Sequence, residues 1–155
     1  MAFRILGLDP APFRPLYGLS DEALTRRGVR RARVDAMPGF PDRIELCDVA
    51  VGGSVLLLNH VHQPADTPYR AAHAIFVREG AERAADLVDE VPLVLRRRPI
   101  SLRAFDAAGW MLDADLADGA ALEPGIERLF ADPQVAYLQA HYAKRGCYAA
   151  RIERN

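Results

Sequence analysis

The chain is poor in the features that identify most proteins at a glance. It has no GxGxxG, no GxxxxGK[ST] and no G-x-S-x-G. The dinucleotide fingerprint, the phosphate-cradling P-loop and the hydrolase nucleophile elbow are therefore all absent. No apolar run approaches the length that spans a bilayer. The opening MAFRILGLDPAPFRP lacks the long apolar core of a secretory signal, so a soluble, cytoplasmic protein is expected. A formal net charge of −1 gives no electrostatic case for nucleic acid, whose partners carry a basic excess. There are only two cysteines, Cys47 and Cys147, far apart and outside any CxxC motif. A reducing compartment leaves them as thiols, and burial as small apolar side chains is their commoner fate.

Half of the 155 residues are hydrophobic, enough for one domain over 1–155 with a substantial core. The chemistry concentrates in VLLLNHVHQPADTPYRAAHAIFV, from Val55 to Val77. Val55–Val61 follows a Gly52-Gly53-Ser54 turn signal and reads as a central strand covered on both faces. If it continues, Leu56, Leu58, His60 and His62 share a face. Ala72–Val77 is a second strand, with His73, Ile75 and Val77 on one face. Between them, Pro64 and Pro68 stiffen a loop that Asp66 or Thr67 can fasten by bonding nearby backbone N–H groups. Tyr69 and Arg70 then project in fixed directions.

The remaining elements follow from local signals. Phe3–Leu8 reads as an opening strand. Ser20 caps a helix over Asp21–Arg27, with Asp21 and Glu22 in its first turn and Gly28 as its stop. Val29–Val34 and Arg43–Val49 read as strands. Ala84, Leu87, Val88 and Val91 have helical core spacing, which predicts a helix over 81–90. A second short helix follows over 91–98 with Pro92 near its start. The Arg96-Arg97-Arg98 run at its end suits the helix dipole; an anion site is the sharper reading. Ile100–Asp106 and Trp110–Asp115 form a hairpin. Asp113 and Asp115 share a face that reads as solvated. A helix over 122–131 carries the stripe Ile126, Leu129, Phe130. Val135–Tyr142 and Cys147–Ile152 close the chain as a hairpin, with Tyr137, Gln139 and His141 on one face. Together these give an α+β fold: a mixed, largely antiparallel sheet with helices packed on it, and a faint hairpin-plus-helix repeat.

His60-x-His62 offers two imidazoles on one face, compatible with a metal whose further ligands would be His73, His141, a cysteine or a carboxylate. Nothing in the spacing demands one, so no metal ligand is assigned and no cofactor is named. Asp66 and Arg70 can equally be an ion pair fixing the loop.

Three strings carry a family resemblance: HQPADTPYRAAHAIFVRE (His62–Glu79), RAFDAAG (Arg103–Gly109) and HYAKRGCYAARIER (His141–Arg154). They resemble an uncharacterised bacterial family, domain of unknown function 1203 (DUF1203). The resemblance runs from FRILGLDPAPFRPLYGLS onward, so a complete domain is expected. It implies neither a reaction nor a cofactor. It also implies a cysteine beside the proline of the GFP segment. Here Asp42 stands in that place, which weakens a shared thiol site with Cys147.

Two functions compete. The first is an anionic small-molecule site at the 62–73 loop, with an enzymatic variant. His62 or His73 would be its acid–base group, since imidazole titrates nearest neutral pH. Arg70 would hold the anion and Tyr69 would pack on it, with Asp66, Arg103, His141 and Tyr142 nearby. The second is a non-catalytic assembly or protein-interaction domain, including a homo-oligomer, with the polar loop structural. Nucleic-acid binding through the arginine clusters ranks third. The reading leans to the small-molecule site.

Overall fold

Alternation along the chain, more than helical periodicity, builds this molecule. The computed structural model describes residues 2–155. In chain order the elements are β1 (Phe3–Leu6), α1 (Asp21–Arg26), β2 (Arg30–Arg33), β3 (Ser54–Gln63), β4 (Ala71–Arg78), β5 (Asp86–Val88), α2 (Leu93–Arg96), β6 (Pro99–Phe105), β7 (Met111–Asp118), α3 (Glu123–Phe130), β8 (Tyr137–Tyr142) and β9 (Tyr148–Arg154). Strand outweighs helix, 39% against 16%, so the fold is α+β with the sheets dominant. Among the described residues no helix is long and apolar enough to cross a membrane.

The chain divides into two units. The first comprises the residues up to Leu6, Val61–His73 and Asp86–Asn155. It holds a six-stranded sheet in the order β5-β1-β9-β8-β6-β7, with every neighbouring pair antiparallel. Residues opposite one another across such a ladder share a face. Leu138 lies opposite Ala104 and Ile152, and Ala140 opposite Leu102 and Ala150. These side chains make one wholly apolar, fully buried face. Helix α3 packs on β6 and β7. Its buried Ile126, Leu129 and Phe130 form the stripe that the sequence spacing requires, each contributing roughly 2 kcal/mol of apolar burial. The other face of β8 is polar.

The second unit comprises Gly7–His60 and Ala74–Ala85. Strands β2, β3 and β4 form a three-stranded sheet in that order. Leu24, Ile44, Leu56, Leu58, Ile75 and Val77 centre its core. Ser20 Oγ accepts the Ala23 N–H at 3.1 Å and starts α1, and Gly28, at φ +70°, ends the turn after it.

Three expectations are corrected. Residues 43–49 do not form a strand. The Asp42 carboxylate accepts the N–H groups of Ile44 at 3.2 Å, Glu45 at 2.6 Å and Arg78 at 2.7 Å, and Leu46 takes φ +54°. Those bonds and that left-handed residue fold the segment into a loop despite its alternation. Asp42, where the family resemblance implies a cysteine, thus organises a turn. Residues 81–90 do not form a helix. They contain β5, which pairs with β1 and joins Asp86 to Arg4 in an ion pair. The vacant edge of β1 outweighs a helical spacing that β5 shares only by coincidence. With that helix replaced by β5, only the short α2 follows the β3–β4 hairpin, as α3 follows β6–β7. Strand β3 is also apolar on both faces only in its first half, because Asn59 and Val61 are exposed.

Candidate functional site

The polar face of the six-stranded sheet carries the site. Tyr137, Gln139 and His141 alternate along β8 against Leu138, Ala140 and Tyr142. On β6, Ser101 lies opposite His141, Arg103 opposite Gln139 and Phe105 opposite Tyr137. On β9, a bulge puts Tyr148 opposite His141. The segment from Val61 to His73, in the same unit, brings His62, Gln63 and His73 to this face. Gln63 Nε2 donates to Tyr137 Oη at 2.6 Å. Thr67 fastens the loop: its Oγ accepts the Tyr69 N–H at 3.1 Å and donates to the Gly109 carbonyl at 3.2 Å. Gly109 is required there, since it takes φ +88° and a Cβ would lie 2.4 Å from that of Ala65.

Gln139 organises three histidines. Its Nε2 donates to the His62 carbonyl at 2.9 Å, which fixes the orientation of the amide. Its Oε1 then faces His62 Nδ1 at 2.8 Å and His141 Nε2 at 3.0 Å. An amide oxygen only accepts, so His62 carries its proton on Nδ1. His62 Nε2 is left with a lone pair, and His73 Nδ1 donates to it across 2.8 Å. His141 Nδ1 stands 3.0 Å from the Gly146 carbonyl, so both of its ring nitrogens face an acceptor and a neutral ring donates to only one of them.

His141 is neutral near pH 7. Burial pushes its imidazole down to about 3, with smaller contributions from Arg103, His62 and His73, against the raising effect of a hydrogen bond to the Gly146 carbonyl. His73 is lowered too, by burial first and Arg103 second. Arg103 is itself lowered by burial alone. Its one hydrogen bond is a long 3.4 Å contact from Nε to Ser101 Oγ, and no carboxylate pairs with it among the described residues. The cluster therefore combines three imidazoles, two of them with lowered pKa values, with an unneutralised guanidinium.

Of the residues singled out from sequence, His62, His73, His141 and Arg103 come together here. Asp66 and Arg70 are exposed and do not pair with each other. Tyr69 packs edge-on against Phe105 and Trp110, at centroid distances of 6.5 and 6.0 Å. Tyr142 points to the opposite sheet face, because strand neighbours alternate, and Arg98 lies over its ring at 5.2 Å. His60 falls in the second unit, where burial and Arg43 lower its pKa, so the His60-x-His62 pair is not the histidine constellation that forms. Asp113 and Asp115 are both joined to Arg128, as a solvated face allows. In the Arg96–Arg98 run, Arg96 pairs with Glu123, and Arg98 Nη1 donates to the Val94 carbonyl at 2.7 Å. Those bonds are the helix-end roles that the dipole reading expects. Sequence reasoning did not assign Gln139, the hub. Its signal was present: a glutamine between Tyr137 and His141 on one face of an otherwise apolar strand.

Residues 39–154 match the model of a family described as "Protein of unknown function (DUF1203)". No curated protein and no solved structure matches the chain significantly.

Proposed function

We propose, because the chain belongs to the DUF1203 family and that family's description names no reaction, that its function lies in binding a small anionic ligand on the polar sheet face of the first unit. The observation that carries this reading is Arg103. A half-buried guanidinium ordinarily has a carboxylate or several carbonyls to satisfy it. Arg103 has one long contact to Ser101. A carboxylate or phosphate would supply the missing acceptors, two at once through the guanidinium fork. Arg103, rather than the exposed Arg70, is the anion-holding group in this reading. His73 Nε2 keeps a lone pair once Nδ1 donates to His62, so a bound ligand finds a neutral base beside it. That is the basis for an enzymatic variant, with His62 and His73 moving the proton. We also read the setting as cytoplasmic, a reducing compartment that keeps Cys47 and Cys147 as thiols.

The test is a calorimetric titration with a panel of carboxylates and phosphates. Arg103→Ala should weaken the best ligand about tenfold or more, the worth of a charge-assisted hydrogen bond, and Arg70→Ala should leave it unchanged. Equal affinity in wild type and Arg103→Ala would sink the proposal. The assembly reading retains one specific support: edge strand β7 and its preceding turn expose Trp110, Leu112 and Leu116. A concentration-independent monomer in light scattering would remove it.

A further inference from the structure

We infer that His62, His73 and His141 form a binding site for one divalent transition metal of the zinc class, with an open coordination position. Among the described residues they are the one set of three potential ligands that converges, with one ring nitrogen of each lying within 4.8 Å of the others. The inference goes beyond anion binding and does not depend on Arg103.

Two features carry it. The first is ring placement. Metal–nitrogen bonds of 2.0–2.1 Å in tetrahedral directions put imidazole centroids about 5 Å apart. The three centroid separations here are 4.9, 4.8 and 5.7 Å.

The second is the outer hydrogen bonding. A histidine that ligates a metal donates its other ring N–H to a carbonyl, carboxylate or water, which fixes its tautomer. His62 Nδ1 donates to the Gln139 amide oxygen at 2.8 Å, which leaves its Nε2 deprotonated, the form that binds metal. The Gly146 carbonyl, 3.0 Å from His141 Nδ1, accepts that ring's proton in the tautomer that frees Nε2 for a metal.

To join, His73 shifts its proton from Nδ1 to Nε2, and the 2.8 Å gap between His62 Nε2 and His73 Nδ1 opens to about 3.3 Å, the edge of a tetrahedral zinc site. Imidazole ligands suit zinc, and three of them leave a fourth position for water or a ligand atom.

Titration of the purified, chelator-treated protein with Zn²⁺ tests this, with Co²⁺ as an optical probe of four-coordination. One equivalent of Zn²⁺ should bind, and Co²⁺ should give intense visible ligand-field bands. His73→Ala, at a half-buried position and checked for folding by circular dichroism, should weaken Zn²⁺ about a hundredfold or more; His60→Ala should bind as wild type does. Gln139→Ala should weaken binding about tenfold, with Gln139→Glu restoring it, as expected of a group that positions His62 and His141. Equal affinity in wild type and His73→Ala, or an equal loss in His60→Ala, overturns the site. Arg103→Ala separates this inference from the previous section: it should lose the anion and keep the metal.

Discussion

The two units each hold a cluster of polar side chains, and the clusters are balanced in opposite ways. In the second unit, Glu79 accepts four hydrogen bonds: from Arg31 Nε and Nη2 at 2.9 and 2.8 Å, from Ser54 Oγ at 2.8 Å and from the Gly18 N–H at 2.9 Å. Arg31 spends its remaining donors on Asp21 and the Leu19 carbonyl. Hydrogen bonding by Arg31 leads the forces holding Glu79 down at about 2. Every charge there has a partner within the chain. In the first unit the imidazole cluster has too few protons, and its guanidinium has no counter-charge. A closed network needs nothing further and serves architecture. An open one is stable only at a cost, which a ligand can relieve.

The largest effect expected from this contrast is in the closed network. Glu79→Ala should lower unfolding free energy by about 3 kcal/mol at pH 7, read from denaturant midpoints, because it strands Arg31 and two other donors. The wild-type contribution of Glu79 should be full above its unfolded pKa of about 4.5 and be lost as pH falls through about 2. An unchanged midpoint in Glu79→Ala would remove the contrast.

The open cluster should show itself at a different pH. His141 has a folded pKa of about 3, against about 6.5 when unfolded, so between those values the unfolded chain binds a proton that the native chain refuses. Stability therefore falls as pH drops below 6.5, by up to about 1.4 kcal/mol per pH unit from this one ring. Between pH 6.5 and 4.5 the carboxylates scarcely contribute. His141→Asn should make the profile shallower in that interval, the remaining slope coming from His60 and His73, and leave the Glu79 phase below it. A profile as steep as wild type would show that His141 is not the proton-refusing group.

The smallest effect belongs to a pair that is neither buried nor poised. Arg128 bridges Asp113 and Asp115 on an exposed face. Arg128→Ala should leave the melting midpoint within error, since exposed ion pairs contribute little against their entropy and screening.

The hairpins were legible in the sequence because β3–β4, β6–β7 and β8–β9 each alternate and are joined by turn residues. Helices α1 and α3 were legible from Ser20 and from Ile126, Leu129 and Phe130. What failed was decided by partners far along the chain. Segment 81–90 has a helical spacing, but Phe3–Leu6 offers it a sheet edge. Segment 43–49 alternates, but Asp42 ties it back on itself. The site was half legible for the same reason. His62 and His73 sit in one conspicuous stretch. Their meeting with His141 depends on β8 being the strand that faces them, and no local signal encodes strand order. Tyr142 and His141 are adjacent in sequence yet on opposite faces, so choosing both was inconsistent with a strand.

Strand β1 lies between β5 and β9, with Phe3 opposite Arg154 and the Asn155 N–H donating to the Ala2 carbonyl at 3.3 Å. An inner strand of the larger sheet is thus paired with a neighbour far along the chain. During synthesis β1 emerges well before β9 and cannot complete its ladder until β9 has left the ribosome. Closing so long a loop is entropically expensive and slows folding. It also gives the nascent chain an exposed edge at β1 until β9 emerges, the interval in which chaperones would matter most.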